Sequence, residues 1–322
     1  MTINKRIEKT IDGLDDLFKI AENRLGSAEQ TGYSNYSYWN STLRMFRRNK
    51  GAMLWLYLLV ILAGFTFIQP LLPYQKDPTY CYINEETGRQ ERNLKPSGEF
   101  WFGTNSIGQD LWSRIWSGAR TSLFIGLTVG LVDVIVGLTI GSLWGYVRFL
   151  DGFITEFYNV LHNIPSSIVL ILVSYILRPS IPTIIAAMCV TSWLPMARFI
   201  RNQIVIIRDR EFNLASRCLG TPTGRIITKN LLPQLVSVIV MRVALSIPQA
   251  IGNEVFLTYI GLGLPISQPS LGNLVNEGRM VMMSPALRYQ LIFPSIVLSL
   301  VTIAFYVMGN AFADAADPRT HT

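Results

Sequence analysis

Apolar residues fall in runs that are too long for the core of a soluble domain. Residues 52–72 read AMLWLYLLVILAGFTFIQPLL, about the twenty residues that a ~30 Å hydrocarbon layer demands of a helix. Further runs cover residues 122–147, 153–176, 181–199, 236–264 and 289–312. The pattern predicts an all-α integral membrane protein with six transmembrane helices. Polar stretches separate the runs. Residues 1–50 are polar, and Ile7, Ile11, Leu14, Phe18 and Leu25 recur there at three- to four-residue steps, with a gap at Ala21. That spacing predicts an amphipathic helix, lying on the protein's own polar face or on the lipid surface. The segments 73–118, 205–233 and 265–288 are the long connections, and 313–322 is a short tail. The chain thus divides into an N-terminal region (1–50), a first span (51–72), a loop (73–118), a five-helix core (119–312) and the tail.

The placement of cations orients the spans. Arg44, Arg47, Arg48 and Lys50 precede the first run. Arg198, Arg201, Arg208, Arg210, Arg217, Arg225 and Lys229 crowd the connection between the fourth and fifth, against Asp209 and Glu211. Lys and Arg collect on the cytoplasmic side, so the 205–233 segment and both termini are expected inside the cell. Composition agrees: 50% of the 322 residues are hydrophobic, only 15% are charged, and the mean hydropathy is +0.32. The net charge of +7 follows from this topology and predicts no nucleic-acid partner. The polar start MTINKRIEKTIDGLDD predicts no cleavable signal. Cys81, Cys189 and Cys218 form no C-x-x-C pair, and His162 and His321 lie far from them, so no metal site is expected. His162 reads as a packing or hydrogen-bonding residue.

Three ionisable residues fall inside predicted spans: Asp133, Arg242 and Glu254. Such residues are costly in lipid and are usually paired or line a pathway. Both readings stay open. Pro248 and Gly252 predict a break in the fifth span. Asp133 and Arg242 are expected to meet inside the bundle, with Glu254 nearer the outer mouth. Tyr158, Asn159, Asn163, Ser166, Gln249 and Asn253 are further candidates to line a polar path.

The segment 211–233, EFNLASRCLGTPTGRIITKNLLP, predicts a short helix, a turn at Gly220, and a second helix up to Pro233. Thr221 is suited to cap that second helix and Pro222 to open it. Small Ala215 and Ser216 beside Leu214, Arg217 and Cys218 would let another surface approach closely.

This segment resembles the Glu-Ala-Ala loop of bacterial ABC-importer permeases: Glu-Ala-Ala, three residues, Gly, then about a dozen residues to Leu-Pro. FGTNSIGQDLWSRIWSGARTSL (102–123), NEVFLTYIGLGLPISQPSLGNLV (253–275) and ADAADPRTH (313–321) resemble the oligopeptide and dipeptide permeases, and among them the C-type subunit. Leu214 stands where that pattern has Glu, Asn105 where it has Asp, and Gln109 where it has Arg. The resemblance implies the type I importer fold. It also implies a coupling helix in which Leu214, Ala215, Ser216, Arg217, Gly220, Thr221 and Pro222 meet a cytoplasmic ATPase. Gly103, Thr104, Asn105, Gly108 and Asp110, with 265–272, would receive an extracellular binding lipoprotein. The implied partners are a second permease subunit, two ATPase subunits and that lipoprotein, with lipid around the spans. ATP and Mg would sit on the ATPases, for this chain has no G-x-x-x-x-G-K-[ST]. It reads as a transport subunit, not an enzyme. Its cargo would be oligopeptides, the alternatives being dipeptides or a metal chelate such as nickel. A stand-alone secondary transporter would need no ATPase, and a membrane scaffold would tolerate loss of the buried charges.

Overall fold

The computed structural model describes residues 38–84, 88–177 and 180–316. The amphipathic pattern of residues 7–25 and most of the C-terminal motif lie outside them. From Thr42 onward the chain forms one compact unit.

Helix α1 (Tyr38–Arg48) ends on Arg47 and Arg48, cations placed favourably against the negative end of the helix dipole. Asn49 then caps α2 (Lys50–Ile68), its side chain accepting from the Ala52 amide at 3.1 Å. After the long loop comes α3 (Leu111–Tyr146), capped by Asp110, whose carboxylate accepts from the Ser113 amide at 2.9 Å. At 36 residues, α3 is roughly 54 Å long and reaches beyond a bilayer core. It begins well before the apolar run at 122, because Arg114 and other polar residues of its first turns find partners in the loop. The expected loop boundary at 118 therefore falls inside α3.

The third apolar run is not one helix. It is divided into α4 (Arg148–His162) and α5 (Ser166–Ile176), bent by 73°. Pro165 explains the break: it disfavours the helical region for the residue before it, and it sits with ψ 122° at the start of α5. The fourth run consists of α6 (Ile181–Cys189) and α7 (Trp193–Ile207). Among the described residues five helical stretches are long and apolar enough to cross a membrane, and the number is six when the bent pair is counted as one span.

The hairpin helix α8 (Glu211–Cys218) follows. One α turn (Thr223–Arg225) and a π turn (Ile226–Leu231) then lead straight into α9 (Leu232–Tyr259). The expected stop at Pro233 does not occur. Pro233 lies just past the π turn, where the regular i→i−4 ladder is already interrupted. Pro248 does not end α9 either: the helix runs through it. A short helix α10 (Leu271–Val281) and the last span α11 (Tyr289–Ala316) complete the unit.

The most extensively packed helix pair among the described residues is α3 with α7. Gly137, Gly141 and Gly145 line one stripe of α3 at four-residue spacing. A Cβ on Gly141 would lie 2.5 Å from the Ala197 carbonyl oxygen, and one on Gly145 would lie 2.9 Å from that of Arg201. Within a bilayer the water-driven hydrophobic effect is absent between helices, so close backbone approach through small residues supplies the packing. Ile200, Ile204, Ile226 and Leu231, all fully buried, extend this contact towards the hairpin.

Candidate functional site

Between α3, α5, α6, α7 and α9 lies a cavity of about 320 Å³. Asp133, Ser166, Arg242, Gln249 and Asn253 line it, five of the residues proposed for a polar path. Asp133 and Arg242 share the cavity but are not an ion pair. Asp133 accepts a hydrogen bond from Ser192, the residue before α7, at 2.5 Å. Arg242 lies over the Phe199 ring, 4.4 Å from its centroid, and its Nε is buried without a hydrogen-bond partner. The expected Asp133–Arg242 pair is thus replaced by a serine for one charge and an aromatic face for the other. A guanidinium at mid-span costs about 2.5–3.5 kcal/mol on insertion scales, and a cation–π contact returns ~0.5–2 kcal/mol.

Glu254 does not line the cavity. It is fully buried and receives hydrogen bonds from Ser270 (2.7 Å), Thr258 (3.2 Å) and Ser122 (3.3 Å). Ser122 also accepts from the Leu271 amide at 3.0 Å. One carboxylate therefore joins α3, α9 and the start of α10. Tyr158 packs in a cluster with Trp144 and Leu194, where its ring meets those of Trp144 and His162 at 5.3 and 5.0 Å. Asn159 and Asn163 are exposed, Asn163 at the bend between α4 and α5, and neither lines the cavity.

At the hairpin, α8 is pinned from one side and open on the other. Buried Asn213 donates to the Ile207 carbonyl at 2.9 Å, and Asn230 donates to Ser216 Oγ at 3.1 Å. Arg217 is tied back, donating to the Arg208 carbonyl (3.0 Å) and to Asp209 (3.2 Å). Arg148, at the start of α4, and Arg208 also hold Asp209. Slight burial pushes the Asp209 carboxyl up, but hydrogen bonds from Arg217 and Arg148 and the surrounding cations outweigh it and hold the group below its ordinary value. Phe212, Leu214, Ala215, Cys218 and Leu219 are exposed, Leu219 to 85%. Gly220 turns the chain with φ +74°, a conformation that costs an L side chain about 1–2 kcal/mol. Pro222, not Thr221, occupies the cap position, and no side chain caps the turn.

The FGTNSIGQD segment is interior. Gly103, Thr104, Asn105, Gly108 and Asp110 are all buried, so none of the five presents a surface. Thr104 Oγ1 donates to the Glu91 carbonyl at 2.6 Å and accepts from the Leu94 amide at 2.9 Å. Asn105 and Arg114 both donate to Glu277 of α10, at 3.2 and 2.7 Å. Gln109 bonds Arg114 and the Thr79 carbonyl. Gly103 has φ +77°, and a Cβ there would meet the Leu94 carbonyl at 2.3 Å. Burial pushes the Asp110 carboxyl above its ordinary range, opposed by its hydrogen bonds to Ser113. Ser106, Trp101 and Ile266 lie outside this knot and are exposed.

Several partners were not foreseen: Ser192 for Asp133, Asn230 for α8, and Glu277 for the loop. Ser192 and Glu277 come from distant segments, and Asn230 from the far arm of the hairpin, and none leaves a local signature. The glycine stripe of α3 did leave one, in the four-residue spacing of GLTIGSLWG.

The family described as binding-protein-dependent transport system inner membrane component matches residues 137–322. The N-terminal TM domain of oligopeptide transport permease C matches residues 37–96. The oligopeptide transport system permease protein AmiD of Streptococcus pneumoniae is 39% identical over 286 residues, 89% of this chain and 91% of that protein. The dipeptide transport system permease protein DppC of Bacillus subtilis is 35% identical over 306 residues, 95% of this chain and 93% of that one. A chain of the inward-facing MetNI methionine ABC transporter shares the fold, with a TM-score of 0.50 at 20% identity over 63% of this chain and 96% of its own. The family model spans more than half of the chain and these relatives nearly all of it, and the chain belongs to the family of binding-protein-dependent transport system inner membrane components.

Proposed function

We propose that this chain is one of two permease subunits of an ABC importer that carries short peptides across the cytoplasmic membrane. The hairpin end, with both termini, faces the cytoplasm, as the cluster of Arg and Lys there argues. The observation that carries the reading is the geometry of α8. Its inner face is fixed by Asn213, Asn230 and the Asp209 cluster, while its outer face offers Phe212, Leu214, Ala215 and Leu219. An apolar patch on a fixed elbow suits insertion into a groove of a partner ATPase. Because the chain runs from the Gly220 turn through the α and π turns directly into α9, a push on the elbow moves the helix that lines the cavity. ATP and Mg belong on those partner chains, and this subunit performs no chemistry.

The relatives named for oligopeptide and dipeptide transport support a peptide cargo over a metal chelate. A secondary transporter working alone would leave the outer face of α8 without a role. On the opposite side, the buried FGTNSIGQD knot holds Trp101, Ser106 and Ile266 outward as the surface for an extracellular binding lipoprotein.

Cys218 tests the reading, since it is exposed in α8 while Cys81 and Cys189 are partly covered. With those two replaced by Ser, a short thiol-reactive photo-crosslinker on Cys218 is expected to capture a P-loop ATPase. Capture of only lipid or of this chain's own segments, in cells that express the ATPases, overturns the assignment.

A further inference from the structure

Arg242, Ser246, Gln249 and Asn253 all line the cavity and recur at steps of four, three and four residues, so they form one stripe of α9. The stripe is roughly 16 Å long. Among the described residues no hydrogen bond or ion pair engages the side chains of Arg242, Gln249 or Asn253, and Arg242 has only the Phe199 face beside it. Ser246 donates to the Val243 carbonyl at 3.0 Å and retains its acceptor lone pairs. Asp133, the one carboxylate lining the cavity, is occupied by Ser192.

A guanidinium with free edges is built to take a carboxylate bidentately. Side-chain amides at helical spacing are suited to the N–H and C=O groups of a peptide main chain. Peptides of varied sequence share only those groups and their termini. We infer that the α9 stripe is a main-chain-reading subsite, with Arg242 receiving the C-terminal carboxylate of the transported peptide and Gln249 and Asn253 its amide groups. Arg242 is the member of the stripe nearest the hairpin end, so the peptide lies with its C-terminus leading toward that end. This inference rests on the peptide-permease reading above.

The test uses the full transporter, with its partner subunits and binding protein, in proteoliposomes. Two tetrapeptides of one sequence carry a photo-reactive side chain at either the first or the last residue, and captured sites are mapped by mass spectrometry. The C-terminal label is expected to mark residues around Arg242 roughly tenfold more than the N-terminal label, the scale of a charge-assisted hydrogen bond. The N-terminal label is expected to mark the region of Asn253. Arg242→Gln is expected to remove that bias while capture persists. Ser246→Asp, which gives Arg242 an internal carboxylate one turn away, is expected to do the same. If Arg242→Gln does not assemble, the wild-type map and Ser246→Asp decide. Equal or reversed labelling in the wild type overturns the inference, as does peptide uptake with no capture on α9. Absence of any peptide uptake overturns the peptide reading itself, and the inference with it.

Discussion

Among the described residues Glu254 is held within a span by hydroxyl groups and has no ionic partner. Three hydroxyls, from Ser122, Thr258 and Ser270, converge on its carboxylate, so removal of the acceptor strands all three in a buried site. Glu254→Ala is expected to destabilise the purified protein by about 3 kcal/mol. Glu254→Gln, which keeps one acceptor oxygen, is expected to lose less. Thermal unfolding in detergent, followed by tryptophan fluorescence, checks the order. A melting temperature unchanged in Glu254→Ala would mean that the clasp holds nothing. The same site constrains Gly272, where a Cβ would lie 2.7 Å from the Glu254 carboxylate. Gly272→Ala is therefore expected to lower the melting temperature although it adds a single methyl group.

At the scale of elements, two glycine positions do different work. Gly220 has open space around it, so a side chain there costs only backbone strain, about 1–2 kcal/mol. Gly220→Val is expected to leave the bundle folded but reduce peptide-stimulated ATP hydrolysis by the assembled transporter, because the elbow changes angle. Gly220→Asn, which tolerates the left-handed region, is expected to keep most of it. Full coupling in Gly220→Val would show that the elbow's geometry is not what matters. Gly141 is tight, not strained: any Cβ runs into Ala197. Gly141→Leu is expected to separate α3 from α7 and prevent accumulation of the protein in membranes, which immunoblotting of membrane fractions reads directly.

For the molecule as a whole, the cluster at Asp209 ties three segments, because Arg148 opens α4, Arg208 follows α7, and Arg217 belongs to α8. Single exposed ion pairs contribute little, about 0–1 kcal/mol, so the cluster is expected to set the order of α8 more than global stability. Asp209→Asn is expected to raise hydrogen exchange across residues 211–218 while the spans stay protected. Acid should act likewise. The folded carboxyl lies below its ordinary value, so its contribution is complete above the usual Asp pKa of ~3.9. That contribution is lost as pH falls through the lower folded value. Exchange of α8 that is insensitive to both changes would remove the cluster from the account of how the elbow is held.

Along the chain, local patterns were enough to settle membrane insertion, the positions of the apolar runs, the clustering of cations at one end and the turn at Gly220, because hydropathy, charge and positive φ act on neighbouring residues. The bend at Asn163–Pro165 was not among them: residues 153–176 read as one apolar run, although Pro165 supplies the physical cause of the break. What tertiary structure alone decided was which polar group meets which. Asp133 found Ser192, Arg242 found Phe199, Glu254 found three hydroxyls, and the loop motif turned inward onto Glu277 and Tyr289. Pro248 was overridden in the same way: its local preference predicted a break, yet α9 continues through it. Helices inside a membrane are fixed by their own backbone hydrogen bonds. The pairing of side chains between them depends on how the helices pack, and no window of sequence contains that.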